Sequence, residues 1–454
     1  MWWSNKKEIA TCNKTSDKMK TSSYFSGKVK ENFEKFFDKS VIKRLSKSSR
    51  FVIRNDSKIT GFAFVTGLIQ SCFTRACTYS SWASAMGAVL GEEVSKQALF
   101  KRMNKRTEDF ASKLFSHVLS ARIEVLKQDR LFKLFKRVLL GDSTTLSLPQ
   151  NLAEEFPGNV SRGEKKAVAR LQCIINIKSM QWLQMSLKAF SNNDQSASCE
   201  VLSLLRKGDL LIRDLGYFVL KALAGVIEKK AFFISRLRYG LVLYDETGKE
   251  IGWKDLCKRK GIIDKRILIG KKERIPVRII MIPLPAAQVE ERIRKAKKDR
   301  DKRLNHSEDF YQWIKYNVFI TNVEEDTLSA KEIAEVYKVR WQIEILFKSW
   351  KSGGQLQAML HERCTNLYRV KITIYLLLMF FCMMMQKVYV KHFKSIEKEY
   401  GKYLSVIKFM TYVCNNLMKV LNASTVKLKE QLLKHCCYER RNKRINMAQL
   451  INAI

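Results

Sequence analysis

At Arg137 the hydrophobic period of this chain changes, and no other feature constrains its fold as tightly. Upstream, Val29, Phe33, Phe36, Phe37, Val41 and Leu45 recur at helical spacing in a basic background. Residues 51–78 continue as a more apolar helical stretch interrupted by Gly61 and Gly67. Downstream, RVLLGDSTTLSLP holds a short apolar run, then Asp142, then alternation through Leu146 and Leu148 that stops at Pro149. That pattern predicts a hairpin or consecutive strands, with Asp142 at the end of the first. Residues 167–177 and 182–189 supply two more strands, and 200–206 a short helix. Residues 210–212 form a buried strand that runs directly into Asp214. A helix over 217–228 and a further strand over 231–235 complete an α/β alternation.

Residues 241–282 have a different texture. Short alternating runs (LVLYD, RILIG, VRIIMI) separated by turn signals at 246–248 and around Pro276 predict an all-β insertion. Residues 290–303 predict a solvated, strongly basic helix, and 316–323 return to strand. Ser329 is placed to cap a helix that carries YKVRWQIEILFKSWK (337–351), a stretch with no Gly or Pro. At about 100° per residue, Tyr337, Arg340, Glu344, Lys348 and Lys351 fall along one narrow stripe. Val336, Val339, Ile343, Leu346, Phe347 and Trp350 form the neighbouring stripe and would face a core. Alone, this is an amphipathic helix with a solvated Glu344–Lys348 pair. The acids upstream change its meaning.

Eighty-four Lys and Arg stand against 44 Asp and Glu, a net charge of +40 on 454 residues. Such an excess calls for a polyanionic partner, nucleic acid ahead of an anionic membrane. The longest apolar run, residues 372–385, is shorter than the roughly 20 residues a membrane span needs and predicts a buried helix. MWWSNKKE lacks the apolar region of a secretory signal, so a cytoplasmic, nucleoid-associated protein without a membrane partner is expected. Eleven cysteines without a C-x-x-C pair fit reduced thiols packed as small hydrophobes. His435, Cys436 and Cys437 lack zinc-ligand spacing. Over 80–106, a helix ends near Gly91, Ser95 is placed as an N-cap, and a basic helix follows with Gln97, Lys101, Arg102 and Lys105. That is the order of a helix-turn-helix, although an ordinary helical hairpin reads the same way.

Asp142, Asp214 and Glu344 form a set. Singly, Asp142 fits turn chemistry and Asp214 a helix N-cap. Jointly, two aspartates at strand ends and a glutamate pointing inward from a packed helix make an all-oxygen site suited to hard cations, Mg²⁺ or Mn²⁺. Two such ions about 3.5–4 Å apart would activate water or a 3′-hydroxyl and stabilise the leaving oxygen of a phosphodiester.

Asp142 in GDSTTLSLP, Asp214 in IRDLGYF and the spacing Tyr337-x2-Arg340-x3-Glu344-x6-Lys351 resemble the DDE transposases of bacterial insertion sequences. The likeness is to the branch with a Y-x2-R-x3-E-x6-K signature and a β-rich insertion, the insertion-sequence-four family. Trp341, Phe347 and Trp350 also sit where such sequences place aromatics. The resemblance spans roughly residues 98–354, with SKQAL at 95–99 as a loose extension. It implies a ribonuclease H-like mixed-sheet core with a β-rich insertion, flanked by helical N-terminal and C-terminal regions. It further implies metal-dependent cleavage at the element's ends and transfer of 3′ ends into target DNA, by a homodimer on double-stranded DNA. Asp142, Asp214 and Glu344 would then hold two Mg²⁺ or Mn²⁺ ions, and Tyr337, Arg340, Lys348 and Lys351 would meet the DNA. In related enzymes the cut passes through a DNA hairpin and an aromatic stacks on a flipped base. Trp313, Tyr316 and Trp253 are the candidates here, and each also suits a core position.

The expected organisation is a mobile basic tail (1–26), a helical DNA-binding region (27–131), a catalytic core in two parts (132–240 and 311–390), the insertion (241–310) and a helical basic C-terminal region (391–454). A nuclease of the same fold that cuts without rejoining, or an inactive DNA-binding relic, are the alternatives.

Overall fold

The computed structural model describes residues 30–54, 56–74, 77–120, 133–161, 163–257, 261–298, 306–360 and 366–438. The expected tail over 1–26 lies outside the described residues, as do 121–132 of the expected helical run and 299–303 of the expected basic helix. The chain divides into two compact units, one of Met1–Ser116, Asn366–Phe380 and Tyr412–Glu430, the other of His117–Thr365, Phe381–Thr411 and Gln431–Ile454.

The first unit is helical. It contains α1 (Lys39–Ser48), α2 (Gly61–Thr74), α3 (Tyr79–Leu90), α4 (Lys96–Lys101) and most of α5 (Lys105–Ser120). Gly67 lets α2 and α3 approach, because a Cβ there would lie 2.5 Å from Met86 Cγ. The Trp82 indole then donates to the Phe64 carbonyl at 3.0 Å. Gly91, in the left-handed conformation at φ 76, ends α3, and the Ser95 hydroxyl accepts from the Ala98 N–H to start α4. The expected basic helix over 95–106 is in fact two helices. Asn104 divides them, its Oδ1 accepting from the N–H groups of Arg106 and Thr107 at the start of α5.

In the second unit eleven strands form one mixed sheet. They are β1 (Val138–Leu148), β2 (Pro157–Ser161), β3 (Glu164–Asn176), β4 (Gln181–Ala189), β5 (Leu210–Arg213), β6 (Phe232–Arg236), β7 (Leu243–Tyr244), β8 (Glu250–Ile251), β9 (Ile263–Ile269), β10 (Ile275–Pro283) and β11 (Tyr316–Thr321). The order is β2-β3-β1-β5-β6-β11-β10-β9-β7-β8, with β4 paired on β3. β5 is parallel to β1 and to β6, and α6 (Leu220–Glu228) makes the crossover that the parallel β5–β6 pair requires. Leu139, Leu211 and Phe233 lie side by side across these three strands, all buried, each contributing about 1.5–3 kcal/mol of burial.

Four sequence expectations change. First, β1 is a single strand, so Asp142 lies within it rather than at its end. Second, β7 to β10 continue the same sheet through β11, and the segment is not all-β, because Trp253–Cys257 is a helix (α7). Third, the basic helix, α8, runs Ala286–Lys297 and so begins before residue 290, although it is solvated as expected and buries no residue. It is followed by α9 (Glu308–Trp313).

The fourth is the stretch over 337–351, which is not one continuous helix. A capping box of Ser329 and Glu332 opens α10 (Ala330–Lys338), and α11 spans Trp341–Lys348. Between them the turn tightens, with the Arg340 N–H bonded to the Tyr337 carbonyl and the Ile343 N–H to the Arg340 carbonyl. After α11 it widens into a π-helical turn, Ser349–Gly353. Through both changes of pitch, Val336, Val339, Ile343, Leu346, Phe347 and Trp350 stay buried, and Trp350 packs against Trp182 at 4.9 Å.

The apolar segment at 372–385 belongs to a longer helix than its composition suggests. Helix, π turn and helix run on over Leu367–Tyr400, 34 residues, long and apolar enough by length and composition to cross a membrane. Its apolar window is 78% buried inside the protein, the pattern of a core helix.

Candidate active site

The sheet itself sets the two aspartates side by side. β1 pairs with β3 as far as Leu148, but with β5 only as far as the Gly141–Arg213 rung. Asp142 is the next residue of β1 and Asp214 the residue just after β5, so both stand where the parallel pairing stops. This is why an aspartate within a strand still lies at an edge. Beyond it the free edge of β1 is covered by Gln357, whose amide accepts from the Ser147 N–H at 3.1 Å and donates to the Ser147 carbonyl at 2.8 Å. Gly141 is required by close packing, since a Cβ there would meet Arg213 Nε at 2.8 Å and Ile174 Cδ1 at 2.9 Å.

The tightened turn before α11 delivers Arg340 to both aspartates and Glu344 to Arg340. One guanidinium nitrogen lies 3.2 Å from Asp142 Oδ2, Nε lies 3.8 Å from Asp214 Oδ1, and another nitrogen lies 2.6 Å from Glu344 Oε1. All three acids thus converge on one cation, which is 13% exposed. Asp214 makes no side-chain cap hydrogen bond, so N-capping does not explain it. Burial pushes the Asp142 carboxyl up to about 6. The Ser143 N–H at 2.7 Å and Arg340 oppose that rise, and Asp214 and Glu344 add to it.

The donor set suits a hard divalent cation, being all carboxylate oxygen. Among the described residues no three acidic, imidazole or thiol side chains hold an ion as they lie, and here the guanidinium stands between the acids. A supporting network went unnoticed in the sequence. Asp194 accepts from Ser143 Oγ (2.8 Å), Arg170 (3.0 Å) and Gln172 (3.1 Å), which ties the residue after Asp142 to β3. SNND at 191–194 reads as an ordinary loop, and nothing local could have marked it.

The other expected contacts divide. Tyr337 is buried against Phe319, 5.2 Å between rings, and not on an open stripe. Lys348 is exposed and Lys351 half-buried. Trp253 is buried, and Trp313 and Tyr316 pack half-buried on the same core, with Tyr239 joining Trp253 and Trp313. In the first unit Gln97 and Lys101 are exposed, but Arg102 turns inward. It donates to the Phe51 carbonyl (2.6 Å) and Ser57 Oγ (3.0 Å) and lies over the Phe51 ring. Arg102 thereby builds the floor of a concavity of about 600 Å³ lined by Arg50, Arg54, Lys101 and Arg106, with Asp56 as its acid. None of those four cations has an ion-pair partner among the described residues.

Two aspartates thus stand where a parallel strand pair ends, joined through one arginine to a glutamate on a packed helix. The family model described as the transposase DDE domain matches residues 133–383, more than half of the chain, and the chain belongs to that family. Within it, this is a DDE transposase of the bacterial insertion-sequence kind, a DNA-cleaving and strand-transferring enzyme. It is 27% identical over 384 residues to the transposase for insertion sequence element IS231F of Bacillus thuringiensis subsp. israelensis, covering 78% of each chain. It is 29% identical over 325 residues to that for IS231E of Bacillus thuringiensis subsp. finitimus, covering 64% of this chain and 67% of the relative. To the transposase for IS1151 of Clostridium perfringens it is 25% identical over 356 residues, covering 72% and 73%.

Proposed function

We propose that this transposase binds the ends of its own insertion sequence, cleaves them with two divalent ions, and transfers the 3′ ends into target DNA. The observation that carries this is the convergence of Asp142, Asp214 and Glu344 on the Arg340 guanidinium. The three carboxylates would hold Mg²⁺ or Mn²⁺. Those ions, when bound, supply activation of the attacking oxygen and stabilisation of the leaving one. Asp194 keeps Ser143, and so Asp142, in place. Arg340 and Lys351 position the backbone at the cut, and Lys348 adds an outer phosphate contact.

The core is ribonuclease H-like on this reading, with the β7–β10 region as a β-rich insertion between Asp214 and Glu344, and with helical regions on either side. Gln97 and Lys101 on α4 meet the element end, and the cation-lined concavity beside them holds its backbone. Trp313 and Tyr316 keep surface on which a base can stack, whereas Trp253 does not. The working form is a homodimer on DNA, in the bacterial cytoplasm at the nucleoid. The test is a pre-cut element end incubated with plasmid, full-length protein and Mg²⁺. Joined product supports the proposal. Hydrolysis without joining would make the protein a nuclease, and binding without either would make it a relic.

A further inference from the structure

We propose that Arg340 is the internal counter-ion of the acid cluster, and that DNA phosphate draws it away so that metal can bind. The inference rests on the reading that Asp142, Asp214 and Glu344 hold the metal. One guanidinium here contacts all three acids and is largely shielded from water. It therefore stands in the space that a shared divalent ion would need. Three carboxylates and one guanidinium sum to −2, so the cluster still attracts divalent cations. With two such ions the acids are over-neutralised, and a guanidinium among them is a like charge. A phosphate offers Arg340 the same paired, charge-assisted hydrogen bonds that the carboxylates give it. Arg340 heads α11 at a tightened turn, so its side chain can leave the acids while Val339 and Ile343 stay anchored in the core.

The consequence is a coupling. DNA binding relieves the acids of their counter-ion and tightens metal binding, and by reciprocity metal tightens DNA binding at this contact. Without DNA the cluster is occupied by the protein's own cation and holds metal weakly, which restrains cutting away from a bound end.

The test follows Mn²⁺ binding to the full-length protein by the electron paramagnetic resonance signal of free Mn²⁺, with and without a short duplex of the DNA flanking the reading frame. A triple variant, Asp142→Asn, Asp214→Asn and Glu344→Gln, measures ions bound elsewhere, on DNA included. In the wild type the duplex should tighten acid-dependent Mn²⁺ binding by about 5- to 150-fold. Arg340→Gln should bind Mn²⁺ roughly tenfold or more tightly without DNA and lose most of the duplex effect. Arg340→Lys, which keeps a cation at the acids, should stay near wild type without DNA. Equal acid-dependent affinity in Arg340→Gln and wild type would overturn the inference alone. So would a wild-type affinity that the duplex leaves unchanged, an arm that needs no variant to fold. Mn²⁺ binding that the triple variant does not reduce would instead overturn the metal reading of the three acids.

Discussion

Asp142 should make this enzyme's stability and activity depend on pH in opposite directions. Its carboxyl is pushed from an ordinary 3.8 up to about 6, with burial as the largest cause. A raised carboxyl pKa means that the folded protein takes up the proton more readily than the unfolded chain. The contribution to stability is therefore full below about 3.8 and is lost as pH rises to about 6. Just over two units correspond to about 3 kcal/mol across that window. Asp142→Asn removes the titration, so its stability relative to wild type should rise by about that amount between pH 4 and pH 7. Urea unfolding followed by tryptophan fluorescence suits the test, because the buried Trp182–Trp350 pair reports on the unit that holds the site. Cleavage should run the other way. A protonated carboxyl is a poor ligand, so the rate at limiting Mg²⁺ should fall about tenfold per unit below pH 6. Parallel loss of stability in wild type and Asp142→Asn from pH 4 to pH 7 would refute the reasoning.

Four further outcomes are expected. Cleavage should need Mg²⁺ or Mn²⁺, Ca²⁺ should support DNA assembly with little chemistry, and EDTA should abolish product, all scored on one labelled end duplex. Arg102→Ala should destabilise the first unit by about 1–3 kcal/mol in thermal unfolding by stranding the Phe51 carbonyl. Lys101→Ala should instead keep the fold and lower the salt slope of end binding by about one. Gly141→Ala should cost about 1–3 kcal/mol in urea unfolding and disturb Asp142, because the added methyl meets Arg213 and Ile174.

The parts of the site that were legible from sequence are those that depend on local spacing. Arg340 and Glu344, four residues apart, share a helix face, and the apolar stripe from Val336 to Trp350 is buried as its period predicts. LLIRD marks a strand end just before Asp214, because the apolar run stops at Ile212 and the strand at Arg213. The local pattern puts Asp142 at a strand end, whereas it lies within β1. Alternation continues past it into Leu148, and what makes position 142 an edge is the end of a partner strand, which the local pattern does not contain. Long-range side-chain partners were equally hidden. Arg340 meets Asp142 across 198 residues and Arg102 meets Phe51 across 51, so a helical wheel assigns each a face but no partner. The tightened turn at Arg340 leaves no sign in residue type, since no Gly or Pro interrupts 337–351.

The three acids should act as a set. Asp142→Asn, Asp214→Asn and Glu344→Gln, each in the full-length protein, should be compared with wild type in single-turnover cleavage of a duplex carrying the element end, with Mg²⁺. Each should lose at least about a hundredfold in rate while gel-shift affinity measured without metal falls by no more than about twofold, because carboxylates hold metal whereas affinity rests on lysine and arginine contacts to phosphate. A variant that cleaves at the wild-type rate would remove its residue from the metal site and contradict the account.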